Sequence, residues 1–201
     1  MKQYLAYFIT ICLMALSLSA YGLTLHDLQQ QFSQYSVVRA NFEQDRYING
    51  LSKPLHSSGQ MIISKQLGLW WQQKTPFALT LKMNDQRMSQ GIGDQPPQVI
   101  TAQDQPQLFQ FNSLLAAMFN ADSATLNANF TLTLSEKENQ WHLRLVPKTT
   151  PLDRIFKQIN LTGHQYLSQI TIDDMQNDKT VIQFFNHQTK ALTTEEKHLF
   201  D

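Results

Sequence analysis

The feature that most restricts the fold of this chain is a side-chain period of two that recurs in short segments along almost its whole length. Val38, Ala40 and Phe42 alternate with Arg39, Asn41 and Glu43. Phe77, Leu79, Leu81 and Met83 alternate with Ala78, Thr80 and Lys82. The pattern returns in Phe130-Leu132-Leu134, Trp141-Leu143-Leu145, Ile159-Leu161, Ile170-Ile172 and Ile182-Phe184. Successive side chains of a strand point to opposite faces, so each segment predicts a strand with one apolar and one polar face. Gln60 to Ser64 and Gly68 to Gln73 add two more, with turns near Asn49-Gly50 and Asn177-Asp178.

Two stretches follow a helical period instead. Thr24 and Asp27 form an N-cap pair ahead of Leu25, Leu28, Phe32 and Tyr35. Pro106 opens a second segment carrying Leu108, Phe109, Phe111, Leu114, Leu115, Met118 and Phe119, and Gly91 to Pro97 before it is rich in turn residues. The expected fold is mainly β with helices: an incomplete antiparallel barrel, a curled sheet of about 9 to 11 strands covered by α-helices. No βαβ rhythm or long repeat is present.

The N-terminus reads as a secretory signal. Lys2 precedes an apolar stretch from Tyr4 to Leu18, and Ala20-Tyr21-Gly22 is a small-x-small cleavage site. The expectation is a signal peptide over residues 1–22, cleaved after Gly22, and one domain over residues 23–201, released into the periplasm. The competing reading is an uncleaved anchor, although no basic stop-transfer cluster follows. Cys12, the only cysteine, lies inside the apolar stretch, so the mature domain would hold no disulfide, thiolate metal site or cysteine nucleophile.

Formal charge is +0, which supplies no field for a polyanion and argues against nucleic acid. No nucleophile elbow, metalloprotease helix, phosphate loop or dinucleotide fingerprint occurs. Asp173 and Asp174 are adjacent in a strand pattern and would face opposite ways. Ser57-Ser58 before Gly59 has no identifiable base. His26, His56, His142, His164, His187 and His198 lack metal-ligand spacing and read as solvated surface residues. The expectation is no catalytic residue, metal or cofactor. The apolar stripes themselves fit either a well-filled core or the lining of a cavity.

A series of short motifs lends support to the second. Phe42-Glu43-Gln44, Gly59-Gln60-Met61, Leu69-Trp70-Trp71 with Pro76-Phe77, Trp141 to Val146-Pro147-Lys148, and Leu167 to Asp173 before Thr180 to Phe184 occur in order. Over about residues 25 to 186 the chain resembles the LolA family of periplasmic lipoprotein carriers. The resemblance implies an apolar inner face closed by helices, which opens for the acyl chains of a lipoprotein or other lipid. It also implies an inner-membrane donor complex and an outer-membrane acceptor; a monomer is expected.

The cargo-facing set expected on this basis is Val38, Ala40, Phe42, Met61, Ile63, Leu69, Trp71, Phe77, Leu79, Leu81 and Met83, with Leu108, Phe111, Leu115 and Met118 from the lid. Where the family carries an Arg-Pro pair, the Arg thought to latch the lid, this chain has Lys65-Gln66-Leu67. Lys65 is the stand-in, without the planar multi-donor fork of arginine. Asn84 to Gln90 also lacks the family's Asp-Gly and following aromatics, marking a divergent branch. The alternative is a non-catalytic scaffold or chaperone-like protein on the same fold.

Overall fold

The structure, a computed structural model, describes residues 22–93, 95–101, 103–104, 116–119 and 121–201. Eleven strands form one antiparallel sheet in the order β6-β5-β4-β3-β2-β1-β11-β10-β9-β8-β7. They are β1 (Val37–Tyr47), β2 (Leu55–Ser64), β3 (Gly68–Thr75), β4 (Leu79–Met83), β5 (Arg87–Ile92), β6 (Gln98–Thr101), β7 (Phe130–Lys137), β8 (Gln140–Pro147), β9 (Phe156–Gly163), β10 (Leu167–Asp174) and β11 (Lys179–Gln188). Hairpins build each half, and β1 joins β11 to close the order between them. The outer strands β6 and β7 do not pair, so the sheet curls without closing into a barrel.

Helix α1 (Leu25–Ser33) begins where the sequence places it. Asp27 N–H donates to Thr24 Oγ1 and Thr24 N–H donates to Asp27 Oδ2, a complete capping box. Its Leu28 and Phe32 are buried against the sheet, and Phe32 meets the edge of Trp141 at 5.6 Å. Residues 116–119 are helical, and α2 (Ser123–Asn129) follows, capped by Asp122, whose carboxylate accepts from Ala124 and Thr125 N–H. The short α3 (Leu152–Ile155) precedes β9, and α4 (Thr194–His198) follows the last strand.

The main core lies on one face of the sheet, called the inner face here. Leu28, Met118 and Leu126 from the helical segments pack there against Phe42, Phe130, Leu143, Leu145 and Leu161 from the strands. A stacked pair, Phe42 on Trp71 at 3.8 Å, continues through Phe184 to Phe119 in edge contacts. Each such pair adds about 0.5–1.5 kcal/mol beyond its area.

A second, smaller core sits on the opposite face, where no sequence signal was read. Val37, Ile62 and Trp70 are covered by Leu192, Leu199 and Phe200 around α4. Arg39 fastens this cover: its guanidinium pairs with Glu196 and donates to the carbonyls of Lys190 and Ala191. The hydrogen bond from Arg39 is the main reason the Glu196 carboxyl sits below its ordinary value of 4.5. A depressed carboxyl stabilises the fold fully above that value and progressively less as the pH falls through it. Acidification through this range is therefore expected to speed amide exchange at Leu199 and Phe200 ahead of the sheet. In Glu196→Gln the same amides should exchange fast at neutral pH, with no further acid step, as read by hydrogen exchange.

Candidate functional site

Strand register puts ten of the eleven sequence-chosen strand residues on the inner face. Ala40 pairs with Met61, Met61 with Trp71 and Trp71 with Leu81. Val38 pairs with Ile63, Ile63 with Leu69 and Leu69 with Met83. Phe42 and Leu79 complete the set, linked through the pairs Phe42–Gly59, Gly59–Gln73 and Gln73–Leu79. Ala40, Phe42, Met61, Leu69 and Met83 are buried, whereas Val38, Ile63, Trp71, Leu79 and Leu81 are partly exposed.

Phe77 is placed differently. The strand expected from Phe77 starts at Leu79, and Phe77 stands in the preceding turn, 56% exposed. Pro76 has no N–H for a ladder, and Gln73 Nε2 instead donates to Phe77 O across the turn. Of the four lid residues, Met118 is buried in the main core, while Leu108, Phe111 and Leu115 lie outside the described residues. The stretch read as turn from Gly91 also differs, since Gly91 and Ile92 end β5, with Ile92 paired to Leu79.

Lys65 lies in the β2–β3 turn and donates from Nζ to Ser33 O at 2.6 Å, at the C-terminal end of α1. A cation there also meets the negative end of the helix dipole. The backbone adds a second tie, Lys65 N–H to Ser36 O at 3.0 Å. These two bonds tie the end of the first helix and the residues after it to the β2–β3 turn.

Beside it lies a cavity of about 30 Å³, lined by Phe32, Val38, Met61, Ile63, Phe119 and Leu167, with Tyr35, Lys65, Tyr166 and His187 at its rim. That is room for a water or two, not an acyl chain. Among the described residues, the space under α1 is therefore filled by the protein's own side chains here.

The rim was missed in the sequence. Tyr166 stacks on His187 at 5.0 Å and contacts Tyr35 at 5.1 Å. His187 Nε2–H donates to Leu167 O at 3.0 Å, so this histidine is a packed group, not the solvated one expected. Burial lowers its pKa and raises that of the Tyr166 phenol. The β1–β11 register shifts between Arg39 and Asn41, opposite the stretch of β11 that holds His187, and a single-strand pattern carries no sign of it. No group of three or more potential metal ligands occurs among the described residues.

The fold and this face together define a class: an open antiparallel half-barrel with an apolar inner face under helices. The model of the family described as outer membrane lipoprotein carrier protein LolA matches residues 33–201. The chain belongs to the LolA family. Among solved structures it is similar to a LolA superfamily protein from Nitrosomonas europaea, at 8% identity and a TM-score of 0.47, covering 86% of this chain and 96% of that one. A DUF1329 family protein from Desulfovibrio piger is similar at 11% identity and a TM-score of 0.48, covering 85% and 94%. No curated protein matches.

Proposed function

We propose that this chain is a periplasmic carrier that binds the acyl chains of a lipoprotein or other lipid on its inner face. It would take them from an inner-membrane donor and deliver them to an outer-membrane acceptor. Family membership supports the reading, and one observation of this chain carries it. The apolar inner face runs past the covered core, through the partly exposed Leu79 and Leu81 to Ile92, 46% exposed. Such a surface suits a ligand that replaces solvent there.

Burying an acyl chain of about 15 methylenes is worth on the order of 12 kcal/mol against water. Release into water would be too slow to serve, so cargo passes between apolar sites and small differences in cover packing set its direction. The cavity at Lys65 is too small for cargo as it stands, so a chain reaching that end must displace α1 or its Phe32. A lysine with one side-chain hydrogen bond to the helix is a light fastening for such a movement.

The filled space beneath α1 favours the second reading, a non-catalytic scaffold that binds a protein partner. Protein purified from periplasm, extracted and analysed by mass spectrometry, is expected to yield bound amphiphile in near-stoichiometric amount. Its absence, with the protein folded, would leave the scaffold.

A further inference from the structure

One end of the sheet carries four of the large apolar side chains exposed among the described residues. The β1–β2 turn presents Leu51 at 54% exposure, the start of β2 presents Leu55 at 54%, and the β10–β11 turn presents Met175 at 49%. Ile155, at the end of α3, is 45% exposed. Hydrogen bonds hold these connections side by side: Asn49 N–H donates to Asp178 Oδ1 at 2.9 Å, and Met175 N–H donates to Ile155 O at 3.0 Å. Scattered single apolar residues need no explanation, but a contiguous set on neighbouring turns does.

The same end carries exposed lysines. Lys53, Lys74, Lys157 and Lys179 are exposed, and none forms an ion pair with a carboxylate among the described residues. Three of the nearby acids are already engaged, while Asp173 lies opposite Lys179 in the β10–β11 ladder and Asp153 is exposed in α3. Asp178 is buried and takes Arg46 and the Asn49 N–H, Asp174 accepts the N–H groups of Gln176 and Asp178, and Asp45 pairs with His56. Lys74 and Lys157 donate to the side-chain oxygens of Gln60 and Asn177, which leaves Lys53 and Lys179 as exposed ammonium groups beside the apolar tips.

We propose that this end docks on an anionic lipid bilayer, with the apolar tips entering the interface and the lysines meeting lipid phosphates. The tips stand on turns and element ends rather than along one strand or helix face, an arrangement a bilayer can mould around. The inference goes beyond the carrier reading and does not depend on the inner face holding cargo.

The test is co-sedimentation of the protein, purified from periplasm with its N-terminus determined, with vesicles of phosphatidylcholine alone or mixed with phosphatidylglycerol. Binding is expected to the anionic vesicles and to fall with salt. The double variant Lys53→Gln, Lys179→Gln should lower the partition coefficient roughly thirtyfold. Leu51→Ser with Met175→Ser should lower it on the order of tenfold. All four positions are exposed, and an unchanged melting curve will confirm folding of both variants. Equal, negligible binding to the two vesicle types would overturn the proposal, as would anionic binding that both variants retain. Bound amphiphile recovered from the same preparations separates this outcome from the carrier reading, since neither variant touches the inner face.

Discussion

Replacing Gly59 by valine is expected to abolish accumulation of folded protein. A Cβ at this position would lie 1.9 Å from the backbone oxygen of Gln72 and 2.8 Å from two ring carbons of Phe42. The first contact is with the neighbouring strand, so a rotamer change cannot relieve it. The second is with a fully buried ring that is itself stacked on Trp71. Separating β2 from β3 here would break the ladder and the aromatic pair together. The expected loss exceeds about 4 kcal/mol, against a total stability of about 5–15 kcal/mol. Gly91→Ala is the control, because its nearest neighbour would be Pro97 Cβ at 3.9 Å. It should shift the urea midpoint by less than about 1 kcal/mol equivalent, while Gly59→Val yields insoluble or unfolded chain.

Gly59 also shows why much of the fold was legible. The Gly-Gln-Met motif sits opposite Phe42 because the large ring needs a neighbour without a side chain. Strong alternation, as in Trp141-Leu143-Leu145, located strands and faces together, since burial on one side leaves the pattern in the residues themselves. The Thr24–Asp27 box located α1 for an equally local reason.

β5 and β6 were not read because their inner face mixes Met88 and Ile92 with Gln90 and Gln98. Near the open edge that face is less buried, so selection for apolar residues there leaves no clean period. The outer core was hidden for a different reason. Val37, Ile62 and Trp70 occupy the polar phase of their strands, and only long-range folding brings Leu192 and Phe200 over them. In the candidate site, the alternation placed the strand residues on one face, while the Tyr166–His187 stack brings together two separate strand ends beside a register shift, which a single sequence does not encode in its period.

Leu79→Glu is expected to remove amphiphile binding while leaving the protein folded. Leu79 is on the inner face, opposite Gln73 on one side and Ile92 on the other, and retains partial exposure. A glutamate can therefore direct its carboxylate to water in the empty protein, and the polar neighbour Gln73 keeps the local cost small, about 1 kcal/mol. With an acyl chain across Leu79 and Leu81, the carboxylate must be desolvated beside methylene groups or the chain must withdraw. Either outcome costs several kcal/mol, which corresponds to a loss of affinity of more than about hundredfold. Leu79→Gln should lie between the two, because an amide is less costly to desolvate than a carboxylate. Titration with a fluorescent fatty acid measures the affinity, and the urea midpoint measures the fold. Unchanged affinity in a folded Leu79→Glu protein would take this part of the inner face out of the carrier proposal, whereas lost affinity with an unchanged midpoint ties ligand binding to the uncovered stretch between β4 and β5.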